Sequence, residues 1–284
     1  MNKLTSILAV AECASSGSVV LDKAMQLARE FGADVELLVT EPALVRQFAR
    51  RCVEQAFVQV TLCPAPHNAR QPLHKFLLRR IEERQPDILV KAPAGAHPLR
   101  AAVLEAGDRE LVSQCPIPLL LVRRKAWSRP LRLAAAVDIA DTESAVVARG
   151  VLQSAGFLAL GFHGNLDILY TEREVQDETL RMERAVRLAQ LVREYHVGCE
   201  RLQMFDGSPE TRLPPLLAAR QYDVVVLGAV THRQVMPMRE TLTSKLFEAT
   251  EGDVLLAKSA RHRQAAAVAP SVRQQILHQA EEFV

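Results

Sequence analysis

The chain has 284 residues, of which 49% are apolar and 24% are charged, and these proportions exclude a disordered chain, a collagen-like chain and a disulfide-stabilised miniprotein. Its 35 basic and 33 acidic side chains give a net charge of +2, which is too small to favour nucleic acid or an anionic membrane as a partner. The length suits two domains of about 140 residues each.

Short apolar runs alternate with helical patterns along the whole chain. This alternation is typical of βαβ units around a parallel sheet that is buried on both faces. In the first part, the predicted strands are residues 5–11, 34–40, 57–63, 87–92 and 118–123. In the second part, they are residues 132–138, 166–171, 200–205, 223–229 and 253–258. The sequence therefore predicts two five-stranded, doubly wound α/β units, which is a Rossmann-like architecture.

The second part repeats the first, as four matched segments show. The matches pair residues 6–12 with 132–138, 35–41 with 166–172, 77–90 with 213–226, and 118–122 with 253–257. The third match includes Arg84, Gln85 and Asp87, which recur as Arg220, Gln221 and Asp223. The offsets of 126, 131, 136 and 135 preserve the order of the segments, so the chain is a tandem repeat.

The repeat sets the predicted domain boundaries. The first domain is residues 1–125, the second is residues 131–259, and a basic, alanine-rich tail follows at residues 260–284. Within the tail, an amphipathic pattern predicts a short helix on the surface or against a partner; its apolar residues are Val272, Ile276, Leu277 and Ala280. The repeat itself leaves the contact between the two halves and the oligomeric state open; a contact through the fifth strands, as an intrachain pseudo-dimer, is what the family resemblance described below implies.

Cysteine usage and the N-terminal residues favour a cytoplasmic protein. The five cysteines form no CxxC pair, and their odd number indicates free thiols in a reducing compartment. The N-terminal apolar run reaches Glu12 within a few residues, too short for a signal peptide. Residues 145–162 are the most apolar long stretch, but Arg149 and Gln153 interrupt them, whereas a spanning helix needs about 20 nearly uninterrupted apolar residues. We therefore expect no membrane-spanning segment.

Two such α/β copies, each with an acid after its first strand and a loop after its fourth, resemble a tandem universal stress protein of the E type. Residues 104–118 are similar to the end of the first half in that type, where Cys-Pro-x-Pro leads into the last strand. The resemblance covers the chain up to about Ser259. It implies a cytoplasmic stress-response protein without an established catalytic reaction, whose halves imitate the dimer of single-domain relatives.

The loop after strand four is the candidate nucleotide site, because ATP-binding members of the family carry G-x2-G-x9-G-[ST] there. Glycines let the backbone approach phosphates, which the amides and the helix N-terminus then bind. In the second half only Gly228 matches, while Thr231, Thr241 and Leu242 replace the other three positions. Thr243 and Ser244 are the candidates for a displaced hydroxyl, and His232 is a candidate phosphate contact or acid–base group, with solvent exposure as its alternative.

The first-half loop departs further from the pattern. It has Ala92 at the first position and Gly95 as its one match, and the last two positions are Glu105 and Ala106. A carboxylate at position 105 repels a triphosphate, so we expect no nucleotide there. The acids at the ends of the first strands are the other candidates. Asp138 contacts adenine or ribose, caps the following helix or meets solvent, and Glu12 has the same alternatives.

Other patterns favour structural roles. Ser15, Ser16, Gly17 and Ser18 lack the paired glycines of a phosphate loop, and helix capping by Ser18 is the favoured interpretation. The eight histidines form no metal-binding spacing, so no metal site is predicted.

Three functions stay open on this evidence. The favoured one is a non-catalytic stress-response protein that recognises a protein or a small ligand, with degenerate nucleotide sites and no cofactor. The alternative is a switch that binds ATP with Mg²⁺, or another adenine nucleotide, in the second domain only. The third is a weak nucleotidase.

Overall fold

The computed structural model describes residues 3–53, 58–64, 72–93, 104–139, 142–172, 177–194, 198–228 and 242–258. Five strands and four helices alternate in each half. The first half contains β1 (Ser6–Ala11), α1 (Ala14–Phe31), β2 (Asp34–Val39), α2 (Val45–Val53), β3 (Val60–Pro64), α3 (Leu73–Arg84), β4 (Ile88–Lys91), α4 (Ala106–Gln114) and β5 (Leu119–Leu121). The second contains β6 (Arg132–Val137), α5 (Thr142–Gly161), β7 (Asn165–Glu172), α6 (Glu178–Glu194), β8 (Arg201–Asp206), α7 (Pro209–Arg220), β9 (Val224–Gly228), α8 (Leu242–Ala249) and β10 (Asp253–Ala257).

All ten strands form one sheet in the order β3-β2-β1-β4-β5-β10-β9-β6-β7-β8. The order within each half is that of a doubly wound fold, and every pairing inside a half is parallel. The predicted α/β class and strand positions are thus confirmed. The predicted boundary of strand three differs most, because the strand begins at Val60 and not at residue 57.

The halves meet where β5 and β10 pair antiparallel, as the family resemblance implies. Leu119 lies opposite Leu256, Leu120 opposite Leu255, and Leu121 opposite Val254. Because Leu120 and Leu255 are the same position of the repeat, at the offset of 135, their pairing marks a pseudo-two-fold axis. Phe31 and Phe162, also equivalent positions, pack edge to face with their ring centroids 5.8 Å apart.

Alternating strand residues face two apolar cores, one on each side of the sheet. One core contains buried residues of α1, α2, α5 and α6 and extends across both halves. The other contains buried residues of α3, α4, α7 and α8, including Leu77 and Leu217. Leu77, Ile81 and Leu217 on the inner faces of α3 and α7 are all buried.

The polar residues of the third sequence match have structural roles in both halves. Gln85 and Gln221 end α3 and α7 in the left-handed conformation, with φ of 50° and 51°. Oδ2 of Asp87 accepts a hydrogen bond from the amide of Ser6 at 3.1 Å, and Oδ2 of Asp223 accepts the equivalent bond from Arg132 at 2.9 Å. These residues recur because they fasten the third helix of each half to the start of its first strand.

One helix, α5, is long and apolar enough to cross a membrane, but half of its 18-residue stretch Ser144–Gly161 is buried inside the protein. Val151, Leu152, Ala155 and Leu158 on this helix pack into the core beside the sheet. Core helices often have the length and apolar composition of a membrane span, so these two properties of α5 are only weak evidence for one.

Candidate functional site

The strand order places a crevice at the carboxyl end of the sheet in each half. In the first half β1 neighbours β4, and in the second β6 neighbours β9, while the helices that follow the two strands of each pair belong to the cores on opposite faces of the sheet. Ligands of doubly wound folds bind at such topological switch points. We call these places the first crevice, between the ends of β1 and β4, and the second crevice, between the ends of β6 and β9.

Two predicted site residues lie at the second crevice. Asp138 is exposed and follows the last residue of β6, and Gly228 is the last residue of β9. Thr243 and Ser244 belong to the first turn of α8, although their side chains lie outside the described part of the chain. Thr231, His232 and Thr241 also lie outside the described residues. The structure therefore brings Asp138 and Gly228 to one edge of the sheet.

Gly228 has a packing reason to lack a side chain. A Cβ atom at this position would overlap Cγ1 of Val147 on α5. The helix thus lies directly against the end of β9. The glycine at position 228 is explained by this contact without any phosphate.

The first crevice contains a buried lysine bound to two carboxylates. Nζ of Lys91, the last residue of β4, lies 2.5 Å from Oε1 of Glu12 and 2.8 Å from Oδ1 of Asp108 on α4. It also donates to the carbonyl of Ala92 at 2.9 Å. Burial alone would lower the pKa of Lys91, but the two carboxylates outweigh it and raise that pKa. The ammonium therefore joins β1, β4 and α4 across the switch point.

This cluster corrects the sequence-based account of the first crevice. Glu105, expected near a triphosphate, is exposed at the N-cap of α4, and Asp108 is the buried acid. Glu12, expected to contact a ligand or solvent, pairs with Lys91 instead. The sequence signal that was missed is the lysine that closes an otherwise apolar strand at Lys91, where the second half has Leu227.

The serine-rich segment after β1 also differs from expectation. Helix α1 begins at Ala14 with Cys13 as its N-cap, so Ser18 does not cap it, and its hydroxyl donates to the carbonyl of Ala14 at 2.9 Å. Gly17 lies inside the helix, where a Cβ atom would meet Cζ of Phe48 at 2.6 Å. Close helix–helix packing explains this glycine.

The predicted lack of a metal site can be compared only with the described part of the chain. In that part, no group of three histidine, cysteine or acidic residues could hold a metal ion. All five cysteines are free thiols. Burial raises the pKa of Cys52, Cys63, Cys115 and Cys199, and the hydroxyls of Ser16 and Ser15 lower that of the exposed Cys13 despite its partial burial.

Comparison with known sequences gives one distant relative. No family model matches the chain. The universal stress protein E homolog of Haemophilus influenzae is 20% identical over an alignment of 168 residues. The alignment covers 53% of this chain and 54% of that protein. The match therefore spans about half the length of this curated relative.

Solved structures match nearly the whole chain. A protein of Pseudomonas aeruginosa UCBPP-PA14 that is assigned as a universal stress protein has a TM-score of 0.78 and 21% identity, with 93% of this chain and 98% of that chain covered. A universal stress protein of Archaeoglobus fulgidus has a TM-score of 0.65 and 15% identity, with 90% and 97% covered. The chain has the fold of these universal stress proteins along almost its entire length.

Proposed function

We propose that the chain is a cytoplasmic universal stress protein that acts by recognising a protein or a small ligand, without catalysing a reaction. Recognition takes place at the second crevice, and the first half serves as a closed structural partner. The observation that carries this proposal is the Glu12–Lys91–Asp108 cluster, which closes one crevice and has no counterpart at Leu227 in the other. The domains proposed for this function are residues 1–125 and 131–259, followed by the tail 260–284.

The closed crevice argues against a ligand in the first half. The side chains of Lys91 and Asp108 are 3% and 2% exposed, and the three oxygens around Nζ satisfy its three N–H groups. A phosphate would have to displace Glu12 or Asp108 from the buried ammonium, and the ion pair so broken opposes its binding. The first crevice is therefore a poor site for an anionic ligand.

The alternative function is binding of ATP with Mg²⁺, or of another adenine nucleotide, at the second crevice. The exposed carboxylate of Asp138 at a switch point favours it, since such a group accepts hydrogen bonds from ribose or adenine. Two observations weaken it. Gly228 is explained by the packing of Val147, and the threonines at positions 231 and 241 restrict the backbone that phosphate binding requires.

Isothermal titration with ATP, ADP and AMP in the presence of Mg²⁺ separates the two functions. The recognition function predicts weak or undetectable binding by the wild type. The Thr231→Gly/Thr241→Gly/Leu242→Ser variant restores two glycines and one hydroxyl, so it should bind ATP at least about tenfold more tightly, which corresponds to roughly 1.4 kcal/mol.

The acids after the first strands provide a matched pair of control variants. Tight wild-type binding that Asp138→Ala abolishes and Glu12→Gln leaves intact would establish the nucleotide switch in place of the proposed function. Loss of binding in Glu12→Gln alone would place the ligand in the first half and contradict the account of its closed crevice. Release of phosphate from ATP by the wild type, absent in Asp138→Ala, would establish a nucleotidase.

A further inference from the structure

A buried ion pair joins the two halves near the pseudo-two-fold axis. Nζ of Lys23, on α1, lies 3.0 Å from Oδ2 of Asp253, the first residue of β10, and both side chains are almost completely buried. The same oxygen accepts a hydrogen bond from the indole of Trp127 at 2.7 Å, and Oδ1 accepts one from the amide of Arg123 at 2.6 Å. Every donor comes from the first half or the connection after it, and the acceptor comes from the second half.

The pair occurs on only one side of the axis. Buried positions of α1 and α5 correspond at an offset of 131, as Leu21 and Leu152 illustrate, and this offset places Ser154 where the first half has Lys23. The strand offset of 135 places Pro118 where the second half has Asp253. The side related to the Lys23–Asp253 pair thus contains a serine and a proline, which carry no charge.

The paired strands of the interface are nearly the same in both halves. β5 and β10 contribute Leu-Leu-Leu and Val-Leu-Leu to the antiparallel pair, and Leu120 lies opposite its own equivalent, Leu255. Apolar strands with this register are complementary to themselves as well as to each other. The fifth strand of a first half could therefore pair with the same strand of a second chain and keep the backbone hydrogen bonds and apolar contacts of the strand pair.

The like pairings would lose the direct contact between these charges. Two first halves would bury two Lys23 ammonium groups opposite Pro118, without the carboxylate of Asp253 that contacts Lys23 at 3.0 Å. Two second halves would bury two Asp253 carboxylates opposite Ser154, without the ammonium of Lys23 that contacts them. Burying an unpaired charge is strongly unfavourable, whereas a buried pair of opposite charges roughly offsets its desolvation cost.

We propose that the Lys23–Asp253 pair restricts association to unlike halves, so that the chain closes on itself and does not pair with the like half of a second copy. Pairing with the like half of a second copy is disfavoured because it buries a charge without its contacting partner. The apolar contacts of the fifth strands supply the attraction in every pairing. The proposal concerns the assembly of the chain and is independent of any ligand in the crevices.

Cysteine reporters on the pseudo-two-fold axis can detect each wrong pairing in the full-length chain. In Leu120→Cys, two new thiols meet only when two first halves pair, and in Leu255→Cys they meet only when two second halves pair. Each reporter is combined separately with Lys23→Met and with Asp253→Asn. The proteins are unfolded in urea, refolded at high protein concentration, oxidised and analysed as disulfide-linked dimers on non-reducing gels, with the chain lacking the reporter as background.

We expect a crossed result. Lys23→Met should increase the Leu120→Cys dimer at least about tenfold and leave the Leu255→Cys dimer unchanged, and Asp253→Asn should do the reverse; tenfold is the effect of a modest free-energy difference. Lys91→Met is the control, because it breaks a buried ion pair within one half and should change neither dimer. If the Asp253→Asn protein does not refold, the dimer yields of the Lys23→Met protein test the proposal without it. Lys23→Ser, which introduces the residue found at the equivalent position 154, is then the second variant.

Equal dimer yields in the variants and the wild type would overturn the proposal. It would also be overturned if both reporters responded to each substitution, or if Lys91→Met increased them too, because the pair would then contribute only general stability.

Discussion

Arg123 and Lys258 each donate a hydrogen bond across the interface to a carbonyl in the last helix of the opposite half. They are equivalent residues at the offset of 135, and each lies just after the last strand of its half. The guanidinium of Arg123 donates to the carbonyl of Phe247 on α8 and lies 4.1 Å from its ring centroid. Nζ of Lys258 donates to the carbonyl of Val112, the equivalent residue on α4, at 2.7 Å. Each half therefore holds the last helix of the other.

The buried amine of Lys258 predicts a pH-dependent stability. Burial lowers the pKa of Lys258 from 10.5 to about 8. The unfolded chain then binds more protons between these values, so the free energy of unfolding should rise with pH from about 8 to about 10.5, by roughly 2 to 3 kcal/mol from this group. Urea unfolding of the wild type and Lys258→Met at several pH values measures the difference. Lys258→Arg, which copies position 123 and stays charged, should lack this slope, and its presence there would contradict the assignment.

A second pH dependence should centre on Asp253. Burial raises the pKa of Asp253 from 3.8 to about 6, against the opposing effects of Lys23, the Arg123 amide and the Trp127 indole. Its contribution to stability is therefore present in acid and is lost as pH rises through about 6. Trp127 is the single tryptophan and donates to this carboxylate, so its fluorescence should titrate with a midpoint near 6. The transition should disappear in Asp253→Asn; its persistence there would assign it to another group.

The cluster in the first crevice predicts an unequal response to two substitutions. Lys91→Met removes the cation and leaves Asp108, whose side chain is 2% exposed, as a buried carboxylate, so we expect a loss of about 3 to 5 kcal/mol. Glu12→Gln should cost far less, because the Glu12 side chain is 30% exposed and Asp108 still pairs with the lysine. Urea denaturation measures both values. Equal losses would show that Lys91 is not the centre of the cluster.

Gly228 should tolerate no side chain even in the absence of ligand. Gly228→Ala places a methyl group against Val147, so we expect a destabilisation of about 1 to 3 kcal/mol. Adding Val147→Ala should recover part of this loss. Gly198→Ala is the matched control, since a Cβ atom there has open space around it. A fully stable Gly228→Ala protein would return the glycine to a role in ligand binding.

The matching core helices predict equal sensitivity in the two halves. Leu77 on α3 and Leu217 on α7 are both buried, and the repeat matches them to Leu213 and Ile81, which are buried as well. Leu77→Asp or Leu217→Asp introduces a charge into an apolar core, and each should lower stability by several kcal/mol. Thermal unfolding tests both variants. An unchanged midpoint in either one would show that the helix does not pack as described.

The repeat and the order of strands and helices could be predicted from the sequence because both depend on the spacing of apolar residues over short stretches. Apolar runs of strand length and helical spacing identify β1 to β10 and the core faces of α3 and α7, and the constant offsets identify Leu120 and Leu255 as one position. Self-complementary fifth strands follow from that equivalence. Asp138 and Gly228 could likewise be assigned to one crevice, because strand ends in parallel sheets share an edge.

The charged clusters depended on tertiary structure. Lys91 meets Glu12 only because β4 crosses to lie beside β1, and Asp108 joins them only because α4 packs over the same strand end. Asp253 and Lys23 are more than two hundred residues apart in the sequence and form an ion pair in the fold. The pair lies on only one side of the pseudo-two-fold axis. Apolar periodicity needs only the near neighbours of a residue, whereas the pairing of a buried charge is decided by which distant segments fold against it.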